Sequence, residues 1–184
     1  TKMSRILIIE TSLRNKSNSD ILAEKFAEGA RAAGSDVEVI SLKGKKIAFC
    51  VGCNTCQKTR KCAINDDARE IVSKMHDADV IAFATPIYYY EMSGQMKTLL
   101  DRANPLFDSD YKFRKIYFIG TAAEDEEETP SRAISGLNGW IDCFDRAEFA
   151  GSVFVGGVTD PEEISDNEKL GKAYEAGFKA GLLH

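Results

Sequence analysis

The stretch SRILIIETS, residues 4–12, decides the fold. Its apolar run, Ile6 to Ile9, is continuous and has polar residues on both sides. That is the pattern of a parallel strand covered on both faces, not of a strand with one face in water. Such a strand needs helices above and below it, and the chain supplies them in alternation. From Asp20 onward, Leu22, Phe26, Ala30 and Ala33 step by four, four and three, which puts them on one helical face, and Gly34 can end the helix. Ser19 or Asp20 can cap its start. DVEVISL, residues 36–42, alternates Val37 and Val39 with Asp36 and Glu38 and reads as a second strand nearer the sheet edge.

The same alternation continues to the C-terminal region. Asp67 and Glu70 have the spacing of a capping box ahead of the helix AREIVSKMHDA, and DVIAFATP follows as a third strand stopped by Pro86. SGQMKTLLDRA supplies the next helix and KIYFIGTAA the fourth strand. Thr129 then caps a helix with Pro130 at its first position, and Ile134, Leu137, Ile141 and Phe144 share its buried face. Cys143, beside Phe144, is expected in the core. FAGSVFVGG is a fifth strand, and residues 161–183 are expected to form a last helix. This pattern predicts an α/β fold, a three-layer doubly wound sheet of five parallel strands in the flavodoxin-like order 2-1-3-4-5. Residues 1–184 are expected to form a single domain. Ligands of such sheets sit outside the carboxyl ends of the strands, at the switch point between the first and third.

The 184 residues are 43% hydrophobic and 29% charged, with a net charge of −5, the composition of a soluble globular chain. The longest basic patch is KGKK at 43–46, so nucleic acid is an unexpected partner. No apolar run approaches the roughly 18 residues of a membrane span, and the N-terminal residues lack a signal-peptide pattern. A cytoplasmic protein is expected, in which clustered cysteines point to metal binding or catalysis and not to structural disulfides.

Three loops fall at the predicted switch point. TSLRNKSNSD, residues 11–20, is dense in hydroxyl and amide groups and leads into a helix N-terminus, where backbone N–H groups and the helix dipole suit a phosphate. It has neither the nucleoside-triphosphate loop nor the dinucleotide fingerprint. TPIYYYEMSGQMK, residues 85–97, carries three consecutive tyrosines that cannot all enter one core face. GTAAEDEEETP, residues 120–130, begins with small residues that let a ligand reach the backbone and continues into an acidic run that reads as a solvated face.

Together these loops resemble the flavodoxin-like NAD(P)H-dependent FMN reductases, over nearly the whole chain. In that family the first loop, G-S-P-R-x-x-G-N-T, wraps the FMN phosphate. Here Ser12, Arg14 and Asn18 match and Ser19 replaces threonine, while Thr11, Leu13 and Ser17 depart from the pattern. The family's aromatic loop corresponds to Pro86, Ile87, Tyr88, Tyr89 and Tyr90, followed by Ser93 and Gly94, and its third loop to Thr121, Ala122 and Ala123. The resemblance implies FMN bound by Ser12, Arg14, Ser17, Asn18, Ser19, Pro86–Tyr90 and Thr121–Ala123, with NAD(P)H as electron donor. It also implies a homodimer or homotetramer. A flavin carries its own redox chemistry, so no catalytic side chain is named. The electron acceptor can be a small molecule or a protein electron carrier.

FCVGCNTCQKTRKCAINDD, residues 49–67, holds Cys50, Cys53, Cys56 and Cys62 in the spacing C-x2-C-x2-C-x5-C. Four thiolates within thirteen residues can bind a [4Fe–4S] cluster. The spacing differs from the ferredoxin run and resembles the compact motif of the iron-sulfur flavoprotein branch of the same family, in which a cluster exchanges electrons with FMN and with a partner such as ferredoxin. Other relatives carry a similar motif as a bare thiol loop. Cluster, bare thiols, zinc and a disulfide all stay open on spacing alone, as does a non-catalytic binding module for the whole chain.

Overall fold

The structure, a computed structural model, describes residues 2–182. Strand β1 (Arg5–Glu10) is buried from Ile6 onward and lies between β2 (Asp36–Ser41) and β3 (Val80–Tyr88), both parallel to it. Ile8 pairs with Val39 on one side and Ala82 on the other. A two-residue strand, β4 (Glu91–Met92), turns back antiparallel on the end of β3, and β5 (Lys115–Thr121) and β6 (Glu148–Val155) complete the sheet. The order is β2-β1-β3-β5-β6, which is the expected doubly wound order once the short β4 is set aside.

Successive residues of the central strands feed two cores. Ile6, Ile8, Val80 and Ala82 face α1 (Asn18–Ala32) and α6 (Leu170–Leu182). Leu7, Ile9, Ile81 and Phe83 face α3 (Ala68–Asp77), α4 (Gly94–Arg102) and α5 (Ser131–Ile141). The helices α1 and α6 cross backbone to backbone. A Cβ at Gly29 would fall 2.0 Å from the Tyr174 carbonyl oxygen, and one at Gly177 would fall 1.9 Å from that of Phe26. Short α2 (Thr55–Thr59) lies inside the cysteine-rich segment between β2 and α3.

Several sequence expectations need correcting. Pro86 does not stop β3, which continues to Tyr88. The β1 ladder ends at Ala84, so Pro86 has a strand neighbour only in β5, where a missing N–H is tolerated. The helix α1 starts at Asn18, with Ser17 as its N-cap. Thr129 is not the cap of α5, which opens at Ser131 after Pro130, while the Thr129 hydroxyl points to Glu126. Since α5 ends at Ile141, Phe144 turns into the core and Cys143 is left exposed. The expected helix over 161–183 is a 3-10 turn (Glu163–Asp166) followed by α6, broken between them at Asn167, whose backbone is extended; residue 183 lies outside the described residues. The capping box also fails to form. Asp67 makes no side-chain cap bond, and it is Asp66 Oδ1 that accepts from Ala68 N–H (3.1 Å) at the start of α3.

Candidate functional site

The three loops converge at the carboxyl edge of the sheet. Buried hydroxyls join the first two: Thr11 Oγ1 donates to the Ala84 carbonyl (2.9 Å) and lies 3.0 Å from Ser93 Oγ, while Ser93 N–H donates to Thr85 Oγ1 (2.9 Å). Ser93 Oγ also caps α4 by accepting from Met96 N–H. The walls of the crevice are thereby fixed before any ligand enters.

In the first loop Ser12, Ser17, Asn18 and Ser19 are buried and Arg14 is exposed. Ser17 Oγ and Ser19 Oγ are 3.0 Å apart at the start of α1. No side chain caps this helix, and no acceptor among the described residues meets the N–H groups of Asn18, Ser19 and Asp20. An uncapped N-terminus rimmed by hydroxyls is suited to an anion. Two of the predicted donors have other engagements. Asn18 Nδ2 donates to the Asp160 carbonyl (2.8 Å) and its Oδ1 accepts from Ile164 N–H (3.1 Å). The Arg14 guanidinium donates to the Thr159 carbonyl. Residues 159–164 therefore brace the loop from outside, a role that a contact spanning some 146 positions leaves without any local sequence signal.

The aromatic loop is a tight hairpin. Tyr88 pairs with Glu91, and Tyr89 and Tyr90 between them have φ of 50° and 62°. Both central residues thus occupy the left-handed region, as in a type I′ turn, where Asn and Gly are the usual occupants. Tyr89 is 100% exposed, and the Arg132 guanidinium sits 5.9 Å from the Tyr90 ring centroid. Pro86 and Ile87 are half-buried, with Pro86 alongside Thr121. In the third loop Thr121 is buried, Ala122 bonds Val155 and Val158 through its backbone, and Ala123 is exposed. The structure thus groups all three predicted segments around one edge.

The cysteine segment forms a second, adjoining unit. Its neck is closed by the two aspartates: Asp66 Oδ2 accepts from Ala48 N–H (2.8 Å) and Asp67 Oδ2 from Lys46 N–H (2.6 Å). Asp66 also makes a two-pronged ion pair with Arg102, at 2.7 and 2.8 Å, and Arg102 donates to the carbonyls of Ala48 and Ile64. Arg102 hydrogen bonding holds the Asp66 carboxyl below its ordinary range. Asp66, and after it Cys62, holds the Arg102 guanidinium above its ordinary value against the opposing effect of burial. Sequence reading missed this pair because Arg102 looked like the last turn of an ordinary helix.

Within the closed segment Cys56 is buried, Cys62 half-buried, and Cys50 and Cys53 exposed, all as free thiols. The four cysteines line one small cavity of about 20 Å³ together with Arg102, Asn104 and Pro105. Asn104 Nδ2 donates to Cys56 Sγ at 3.2 Å, and hydrogen bonds from Thr55 hold the Cys53 thiol below its ordinary value. Among the described residues no three Cys, His, Asp or Glu side chains are grouped to hold a single metal ion. Four thiols lining one cavity are the donor set of a polynuclear cluster in which each iron takes one thiolate.

Known proteins resemble this chain in sequence and in fold. An iron-sulfur flavoprotein of Methanocaldococcus jannaschii is 33% identical over 133 residues, covering 71% of this chain and 69% of that protein. One from Archaeoglobus fulgidus is 36% identical over 104 residues, spanning 56% of this chain and about half, 51%, of the relative. The solved structure of an NAD(P)H:quinone oxidoreductase from Methanothermobacter marburgensis superposes over 100% of both chains with a TM-score of 0.76 at 20% identity, a likeness of fold. The model of the NADPH-dependent FMN reductase family matches residues 4–129, most of the sheet and all three crevice loops up to Thr129, and the chain belongs to that family.

Proposed function

We propose that the protein is an FMN-dependent oxidoreductase that draws electrons from NAD(P)H and passes them to a small molecule of quinone or flavin type or to a protein carrier. The observation that carries this reading is the uncapped N-terminus of α1, rimmed by Ser12, Ser17 and Ser19 and set beside the tyrosine hairpin and the Thr121–Ala123 loop. A phosphate suits the first, a planar ring the second and its polar edge the backbone of the third. FMN, when bound, accepts hydride from the nicotinamide and releases one or two electrons. The chain's residues hold it: donors on α1 fix the phosphate end, and the Thr11–Ser93–Thr85 network ties the first two loops together. Residues 1–184 act in this reading as one FMN-binding domain. A homodimer or homotetramer suits the open tyrosine turn, and free thiols suit a cytoplasmic setting. Among the described residues no helix is long and apolar enough to cross a membrane.

The test is anaerobic. Protein loaded with FMN and mixed with NADPH or NADH is expected to lose its flavin absorbance with first-order kinetics at least tenfold faster than free FMN. An unaltered rate over free FMN, with FMN bound, contradicts the oxidoreductase reading and leaves a binding module.

A second reading is favoured by the cysteine cavity: Cys50, Cys53, Cys56 and Cys62 hold a [4Fe–4S] cluster that exchanges single electrons with the flavin. The helix α4 joins the two units, with Ser93 at its start in the crevice network and Arg102 at its end under the cysteines. Its nine residues span about 13 Å, a short path through packed protein. Iron and sulfide analysis after anaerobic reconstitution is expected to give four of each per chain, and loss of any one cysteine to alanine should abolish that stoichiometry.

A further inference from the structure

Beneath the cysteines lies a buried cation whose bonding is incomplete. Arg102 is among the largest fully buried side chains of the protein. Its two terminal nitrogens are occupied by Asp66, Ala48 and Ile64. Its Nε–H, also buried, meets no acceptor among the described residues. Closing the neck uses the terminal nitrogens alone, so neck closure does not account for this donor. Arg102 lines the cysteine cavity beside Cys62, and Asn104, two residues on, already donates to Cys56 Sγ on the same cavity wall. Asp66 neutralises the guanidinium, leaving an oriented N–H in a desolvated place on the cavity that Cys62 also lines.

We propose that Arg102 is a positioning residue of the cysteine site, whose Nε–H donates to sulfur at the Cys62 side of a bound [4Fe–4S] cluster while Asn104 Nδ2 donates to Cys56. The inference rests on the cluster reading given above. An added electron makes the cluster and its thiolates more negative, so a fixed donor favours the reduced form and raises the potential. Arg102 thereby couples the loop neck to the redox poise: the carboxylate that holds the neck also orients the guanidinium.

The experiment compares wild type with Arg102→Lys, which keeps a cation for Asp66 but loses the planar fork and its Nε donor. Both proteins are reconstituted anaerobically with iron and sulfide and titrated against mediators, with iron counted in each. Arg102→Lys is expected to keep its iron and shift its one-electron equilibrium about tenfold toward the oxidised form, about 59 mV. Asn104→Ala is expected to shift it in the same direction by less. An unchanged potential in Arg102→Lys at full iron content overturns the proposal and leaves the cluster intact. Wild-type protein that takes up no iron overturns the cluster reading and the proposal with it. Should the lysine variant not fold, pulsed EPR on reduced Arg60→Lys, Arg69→Lys protein labelled with [guanidino-15N]arginine decides the matter, because those two arginines also lie at the cysteine loop. A 15N coupling to the cluster is expected, and its absence overturns the proposal.

Discussion

A carboxyl at the end of β1 carries an unusual burden. Glu10 is only 7% exposed, its Oε2 has no partner, and Asp20, Glu24 and Lys43 face it from α1 and the turn after β2. Burial first, then the charges of Asp20 and Glu24, push its pKa to about 8, and burial pushes that of Asp20 to about 6. Because the folded protein holds the Glu10 proton above the ordinary value of 4.5, it loses stability relative to the unfolded chain as pH rises from about 4.5 to about 8. Glu10→Gln removes that loss. Urea midpoints measured from pH 5 to 8.5 are expected to fall for the wild type and stay flatter for the variant, which should be the more stable of the two at pH 8.5. Parallel profiles would contradict the buried-acid account. Glu10 is legible in the sequence only as the polar end of a strand, since its burial depends on α1 and on Lys43, which the chain brings up from elsewhere. Asp67 was legible as a helix cap by its spacing to Glu70, yet its carboxylate goes to Lys46 N–H at the neck of the cysteine loop, while Asp66 meets both Arg102 and the Ala68 N–H that opens α3.

At the scale of elements, the hairpin Tyr88–Glu91 keeps two tyrosines in a backbone region that L-residues enter at a cost of about 1–2 kcal/mol each. Strain of this kind, in a turn projecting from the sheet edge, marks a site where the side chains matter more than the turn. Replacing Tyr89 and Tyr90 with Asn and Gly is expected to raise stability by about 1–2 kcal/mol, after allowing for the lost contact of Arg132 with Tyr90. The same change is expected to weaken FMN binding severalfold. Chemical denaturation checks the first effect and fluorescence titration the second, and FMN affinity that survives unchanged would remove the tyrosines from the ring site. The sequence showed that the three tyrosines cannot all enter one core face but carried no hairpin signal, since turns of this type are recognised by Asn and Gly. The five long strands were legible because unbroken apolar runs such as Ile6–Ile9 and Val80–Ala84 leave a buried parallel sheet as the economical solution.

For the whole molecule, the doubly wound order brings loops from three distant parts of the chain to one edge and sets the cysteine segment beside it through α4. That much follows from alternation and topology. The bracing of the first loop by residues 159–164 does not, because Asn18 reaches across most of the chain to make it and no local pattern announces the contact. The bracing separates neighbouring residues: Asn18 holds the loop, which in the proposed reading leaves Ser17, Ser19 and the N–H groups at the start of α1 for the phosphate of FMN. Titrating the metal-free, flavin-free protein with FMN and with riboflavin, which lacks the phosphate, tests this assignment most directly. Two or three charge-assisted hydrogen bonds predict that FMN binds about a hundredfold or more tighter than riboflavin, and that Ser17→Ala with Ser19→Ala closes much of the gap. Equal affinity for the two flavins, or an FMN affinity untouched by the double substitution, would contradict it.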